Sequence, residues 1–134
     1  MRLTKFRLLG GIAAATMLFA AACGGGGSDN GGIADGSDPN IPAGSPFIDQ
    51  DVLKFVPSKL TVAPGVDIYF KNSETALHTV TIEGENVSGN MRKDDIFVWA
   101  APTALGDYQV TCDYHPQMKA TITVAEGTAN TPAQ

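Results

Sequence analysis

Short runs in which apolar and polar residues alternate fill the chain between residues 47 and 126. In VDIYFK, Val66, Ile68 and Phe70 share one face, while the intervening residues share the other. The runs SKLTV, HTVTIE, DYQVTC and KATITV alternate in the same way, which is typical of β-strands with one buried face. Turn-forming Gly, Pro and Asn separate the runs, and no window has a helical period. The pattern predicts an all-β fold, a Greek-key β-sandwich or barrel of about seven to eight strands.

Two segments of this predicted sandwich have more specific assignments. The run DIFVWA, residues 95–100, is apolar on both faces, which is expected of a strand in the middle of a sheet. Tyr108, in the sequence GDY, resembles the tyrosine corner of Greek-key folds. We therefore predict a structural role for its hydroxyl group.

The first 22 residues have the layout of an export signal. A basic start, MRLTKFR, precedes the uncharged stretch LLGGIAAATMLFAAA, which is short for a membrane-spanning helix. The sequence LFAAAC resembles the lipobox of bacterial lipoproteins, in which the cysteine becomes the lipidated first residue, although Ala20 stands where Leu is commonest. We predict cleavage after residue 22 and lipidation of Cys23. An ordinary secretory signal cut near Ala22 is the alternative.

The rest of the chain divides by composition. Residues 23–46 are dense in Gly, Ser, Asp, Asn and Pro, which predicts a flexible tether behind the lipidated cysteine. Residues 47–126 form the predicted domain, and residues 127–134 the predicted disordered tail. The chain has a net charge of −5, and the part after residue 22 retains six basic against fourteen acidic residues. This acidity argues against nucleic-acid binding and suits either solubility or a basic partner surface.

The segment VTCDYHPQMKATITV contains the candidate chemistry. Cys112, His115 and Met118 follow one another at intervals of three, and His78 is the only other histidine of the chain. The strand phases turn His78, Cys112 and Met118 inward at strand ends, while His115 lies in the connecting loop. Taken singly, each of these residues is more simply explained as part of the hydrophobic core than as a metal ligand. Together they supply thiolate, two imidazoles and a thioether, the ligand set of a type 1 copper site.

Cysteine usage supports this interpretation. The chain has two cysteines, so lipidation of Cys23 leaves Cys112 without a disulfide partner in an oxidising compartment. A thiol in such a compartment is protected from oxidation by burial or by a bound metal.

The segment GDYQVTCDYHPQMKATITV, together with VLKFVPSKLTVAPGVDIYFKN and LHTV, resembles the cupredoxin family of plastocyanin and amicyanin over residues 50–125. The resemblance implies that His78 and His115 bind one Cu(II)/Cu(I) ion through Nδ1, Cys112 through sulfur and Met118 axially. The chain departs from the family at Leu77 and Thr79, where Pro and Asn are frequent. That Asn helps to join the ligand loops.

The resemblance implies an electron carrier that exchanges single electrons with redox proteins, such as a cytochrome or a membrane oxidase or reductase. We expect an exported monomer, lipid-anchored at the outer face of the cytoplasmic membrane or in the periplasm. Copper binding for delivery, without electron transfer, remains the alternative. Enzymatic activity is not expected, because copper oxidases and nitrite reductases need further histidine ligands and both histidines are already used.

Overall fold

The computed structural model of the protein describes residues 32–128, which form two β-sheets without a helix. The ten strands are β1 (Gly32–Ile33), β2 (Pro46–Asp51), β3 (Lys54–Val56), β4 (Lys59–Val62), β5 (Asp67–Asn72), β6 (Thr81–Ile82), β7 (Glu85–Asn86), β8 (Ile96–Ala100), β9 (Gly106–Thr111) and β10 (Lys119–Val124). Within these residues, therefore, no helix is present that could cross a membrane.

The two sheets mix parallel and antiparallel pairs. The first sheet has the order β1-β2-β5-β8, and β3 also pairs with β2. The second sheet has the order β4-β10-β9-β6-β7. The pairs β2–β5 and β4–β10 are parallel, and the other pairs are antiparallel. The predicted all-β sandwich is confirmed, and the strand number exceeds the expectation because several strands have only two or three residues.

The core lies between the sheets, where the predicted inward faces meet. Ile68 and Phe70 of β5 are fully buried, as are Val110 of β9 and Ile122 of β10. Because a strand side chain points alternately to either face, this period of two places one apolar layer of each sheet against the other. The Tyr108 hydroxyl donates a hydrogen bond to the Ala104 carbonyl at 2.9 Å, in agreement with the predicted tyrosine corner.

The prediction for residues 95–100 is wrong, because β8 lies at an edge of the first sheet. Its inner face is nevertheless covered, and its outer face is covered in part. Phe97 and Trp99 pack against the main core, whereas Ile96 packs against a second apolar cluster on the outer face. A covering segment on the outer face thus explains the apolar Ile96, whereas Val98 and Ala100 on the same face are exposed.

That covering segment is the N-terminal strap, residues 32–45, which we had predicted to be part of the flexible tether. Its β1 pairs with β2, and its Ala34 and Ile41 are buried against Phe47. Asp38 forms an ion pair with Lys71 at 2.8 Å, which lowers the pKa of the carboxyl and raises that of the amine. The packed body therefore begins upstream of residue 47, because isolated apolar residues of the strap find a partner face on β2, β5 and β8.

Candidate metal centre

His78 lies in the loop between β5 and β6 and is completely buried. Its backbone forms an isolated bridge with Met91, with hydrogen bonds of 3.1 Å from His78 N to Met91 O and of 2.8 Å from Met91 N to His78 O. These two hydrogen bonds fix the backbone of His78 and therefore the position from which its side chain extends. The predicted inward orientation of His78 is thus confirmed.

The other three predicted ligands lie in the loop between β9 and β10. Cys112 directly follows β9 and Met118 directly precedes β10, and both are buried. The last residue of β9 pairs with the first of β10, so the seven residues from Cys112 to Met118 form the whole connection. The amide of Met118 donates to the His115 carbonyl at 2.9 Å, which closes a turn inside the loop. His115 is only partly buried.

Three donor atoms from these loops form a compact triangle. His78 Nδ1 lies 3.1 Å from His115 Nδ1, and Cys112 Sγ lies 3.7 Å from each of these nitrogens. A point in their plane lies about 2.0 Å from all three atoms, close to the metal–nitrogen distances of about 2.0–2.1 Å and metal–sulfur distances of about 2.3 Å known for zinc. The triangle therefore fits one small metal ion bound by two imidazoles and a thiolate.

Met118 supplies the fourth predicted donor type. It is completely buried and belongs to the same apolar cluster as Cys112 and Met91. The residues in phase with it along β10, Ala120 and Ile122, also face the core. The structure therefore places the Met118 side chain on the interior side of the loop that carries Cys112 and His115. A thioether on this side would supply a fourth, weak donor to an ion held by the triangle.

A carboxylate that the sequence analysis had missed holds the far side of the His78 ring. Glu74 Oε1 lies 2.8 Å from His78 Nε2 and also accepts the Leu53 amide at 2.8 Å. With the ring proton on Nε2, the lone pair of Nδ1 points into the donor triangle, and the carboxylate makes that nitrogen a stronger electron-pair donor to a metal. The only sequence signal for this contact is the separation of four residues between Glu74 and His78.

Thr79 occupies the position where the family frequently has Asn, and it joins the two ligand loops. Its amide donates to Cys112 Sγ at 3.5 Å, and its hydroxyl accepts the Asp113 amide at 2.9 Å. The Asp113 carboxylate in turn accepts hydrogen bonds from Thr81 at 2.6 Å and from Asn86 at 2.8 Å. The connection between the loops is thus made by hydroxyl and carboxylate groups where Asn is absent.

Of the two cysteines, Cys112 lies among the described residues. Cys112 is a free, buried thiol within hydrogen-bonding range of three groups, the amide of Thr79 and the two imidazoles. Cys23, the predicted lipidation site, lies outside the described residues, as do the predicted signal peptide and most of the predicted tail.

Comparisons with known proteins agree with this geometry. A family model described as a cupredoxin-like domain matches residues 48–124. Amicyanin from Paracoccus versutus (Thiobacillus versutus) is 24% identical, with a TM-score of 0.59 over 65% of this chain and 87% of that chain. The Cu(I) form of an amicyanin mutant is 26% identical, with a TM-score of 0.57 over 65% of this chain and 88% of that chain. A search of curated proteins finds no match.

The match to the family model extends over more than half of the chain and includes every residue of the donor triangle. The solved amicyanins share the fold of two packed sheets. The family and the donor set together identify copper, as a single type 1 ion, as the cofactor. The chain belongs to the cupredoxin-like family.

Proposed function

We propose that this protein is an electron carrier in which His78, Cys112, His115 and Met118 would hold one copper ion. The observation that carries the proposal is the triangle of two imidazole nitrogens and one thiol sulfur, with sides of 3.1, 3.7 and 3.7 Å. Bound copper supplies a one-electron Cu(II)/Cu(I) couple. Two imidazoles, a thiolate and a thioether are the donor set used by type 1 electron-transfer sites.

The surroundings of the ligands favour electron transfer over copper release. Glu74 orients His78, and Thr79 joins the His78 loop to Cys112 and Asp113. Ligands that are held by several hydrogen bonds move little when the charge of the site changes by one, and a small rearrangement favours rapid electron exchange. A delivery protein must instead open its site to pass on the metal, and this network opposes such opening.

Redox partners would dock at the end of the sandwich that carries the ligands. His115 is the partly exposed histidine, and the neighbouring Tyr114 is 49% exposed. The turn between β2 and β3 adds Val52, 72% exposed, and Leu53, whose amide contacts Glu74. Both turn residues have positive φ angles, of 48° and 55°, which is costly for the β-branched Val52. These exposed side chains would offer apolar contact area at the ligand end to a redox protein with a basic surface.

Export and lipid anchoring complete the proposal. The charged start, the apolar stretch and the residues before Cys23 support removal of residues 1–22 and attachment of lipid to Cys23. An anchored carrier would remain at the outer face of the cytoplasmic membrane, close to a cytochrome or to an oxidase or reductase complex. The acidic net charge of the chain would steer it toward basic partner surfaces.

The test uses the two cysteines as a matched pair. We expect the copper-loaded wild-type protein to show an intense thiolate-to-copper absorption, a type 1 electron spin resonance spectrum and a reversible one-electron potential. Cys112→Ser should abolish the absorption, because the soft thiolate donor is lost. Cys23→Ser should keep the absorption and lose only membrane attachment. A colourless, redox-silent wild-type protein loaded with copper would overturn the proposal, and slow electron self-exchange with easy copper loss would favour delivery.

A further inference from the structure

Gln50 is a polar residue on the inward face of β2, and its two neighbours along the strand, Asp49 and Asp51, point to the other face. Its side chain is completely buried, and Ile48, the residue in phase with it along the strand, packs into the main core. Burying an amide in such a place costs free energy unless its donors and acceptor are paired. Hydrophobic packing therefore does not explain why Gln50 occupies this position.

One side of the Gln50 amide is paired and the other is not. Gln50 Nε2 donates to the carbonyl oxygen of Thr79 at 3.1 Å, whereas Gln50 Oε1 is buried without a hydrogen-bond partner in the described part of the chain. The orientation is dictated by chemistry, because a carbonyl can only accept. An orphaned acceptor lowers stability, and an apolar residue of similar size would avoid that cost. The contact with Thr79 thus comes at the expense of a buried unpaired oxygen.

Thr79 is the residue whose amide donates to the thiol of Cys112. Its N, Oγ1 and O atoms are all engaged: the amide with Cys112 Sγ, the hydroxyl with Asp113 N, and the carbonyl with Gln50. The first two contacts come from the loop that follows β9 in the second sheet, whereas Gln50 lies on β2 of the first sheet. The Gln50 hydrogen bond is therefore the one that fixes Thr79 from the opposite sheet.

We propose that Gln50 is a positioning residue that fixes the Thr79 amide against the Cys112 sulfur and thereby raises the reduction potential of the site. The inference rests on the proposed copper-binding function. A hydrogen bond to the thiolate withdraws electron density from sulfur and makes the sulfur a weaker donor to the oxidised ion, so the reduced state is favoured. Without Gln50, the Thr79 backbone loses its restraint from β2, and the 3.5 Å contact between the amide and the sulfur weakens.

The sign of the effect separates this role from a purely structural one. Gln50→Leu removes a dipole from the surroundings of the ion, and a more apolar surround by itself favours the lower charge of the reduced state. Loss of the thiolate hydrogen bond acts in the opposite direction. We expect the second effect to prevail, with a decrease of several-fold to tenfold in the equilibrium constant for reduction; a tenfold decrease corresponds to about 59 mV for one electron.

The experiment compares the full-length copper-loaded wild-type protein with Gln50→Leu, Gln50→Asn and Ile48→Val. The Asn variant retains an amide that is too short to reach Thr79, and Ile48→Val loosens the core of the same strand without touching Thr79. The potential is measured by redox titration. Hydrogen exchange of the Thr79 amide is measured by NMR on the reduced protein.

Both Gln50 variants should lower the potential and accelerate exchange of the Thr79 amide, while Ile48→Val should lower only the unfolding temperature. An unchanged or higher potential in the Gln50 variants overturns the inference, and so does a lower potential with unchanged Thr79 exchange. If Gln50→Leu fails to bind copper, the Asn variant decides by the same two criteria. A wild-type protein without a type 1 spectrum would instead refute the proposed function.

Discussion

Replacement of Glu74 by Gln tests how the protein sets the electron affinity of its metal centre. The change removes one negative charge and leaves a side-chain oxygen that can still accept from His78 Nε2 and from the Leu53 amide, both 2.8 Å away. The carboxylate favours the more positive Cu(II) state and strengthens the imidazole as a donor. Glu74→Gln should therefore raise the reduction potential while the fold and the copper spectrum are retained.

The size of the effect follows from the distances. Glu74 Oε1 is separated from the centre of the donor triangle by the 2.8 Å contact, the imidazole ring and the distance from Nδ1 to that centre, in total about 6–7 Å. At an effective dielectric constant of about 20, a unit charge at this distance contributes about 2.5 kcal/mol. The Glu74 side chain is 20% exposed, so solvent lowers this value. We expect at least about 1.4 kcal/mol, a tenfold change or about 59 mV.

Spectroelectrochemical titration at pH 7 and about 0.1 M salt measures this shift. Glu126→Gln is the matched control, because Glu126 follows the end of β10 that is remote from the ligand loop. That end is separated from Met118 by the six residues of β10, about 20 Å of strand. At such a distance, solvent and salt screen a surface charge almost completely. A Glu74→Gln shift that is negative, or no larger than that of the control, would refute this account of the carboxylate.

Two further predictions concern the first sheet and its strap. Asp49 has a raised pKa because burial disfavours its charged form, so the folded state holds this proton more tightly and stability falls as pH rises from 3.8 through the raised pKa. Asp49→Asn should therefore raise the urea midpoint at pH 7 and lose that advantage below pH 3.8; an equal gain at both pH values would contradict the assignment. Ile41→Ala should cost about 2 kcal/mol of unfolding free energy, the low end for a buried Ile, with an unchanged copper spectrum. A cost near zero would show that the strap does not pack in solution.

The fold and the ligands were largely predictable because their signals are local. The period of two marked β4, β5, β9 and β10, and the same phase turned Cys112 and Met118 inward. The spacing of Cys112, His115 and Met118 is that of a single loop, so chain connectivity alone keeps these residues near one another. A resemblance over such a loop is specific because each of its donor atoms has a chemical reason to be there.

The incorrect or missed predictions concern residues whose structural role depends on a surface that is distant from them in the sequence. The strap is rich in Gly, Pro and Asp, and its composition indicates a tether; what orders it is the outer face formed by Phe47, Tyr69 and Ile96. The two apolar faces of β8 indicated a central strand partly for the same reason, since the strap packs against Ile96 on the outer face, although Val98 on that face is 42% exposed. Glu74 and Gln50 escaped notice because a single polar residue carries no periodic signal, and their roles rest on contacts with His78 and Thr79.

Local interactions along the chain specify the strands, the candidate ligands and the short loop that carries three of them, because backbone geometry and side-chain chemistry act between near neighbours. The position of His78 depends on the packing of the whole fold, which brings a residue 34 positions before Cys112 within 3.7 Å of its sulfur. The same packing places Glu74 and Thr79 where they restrain the two ligands. Packing of two sheets fixes such distances, because it joins residues whose separation along the chain carries no information about their separation in space.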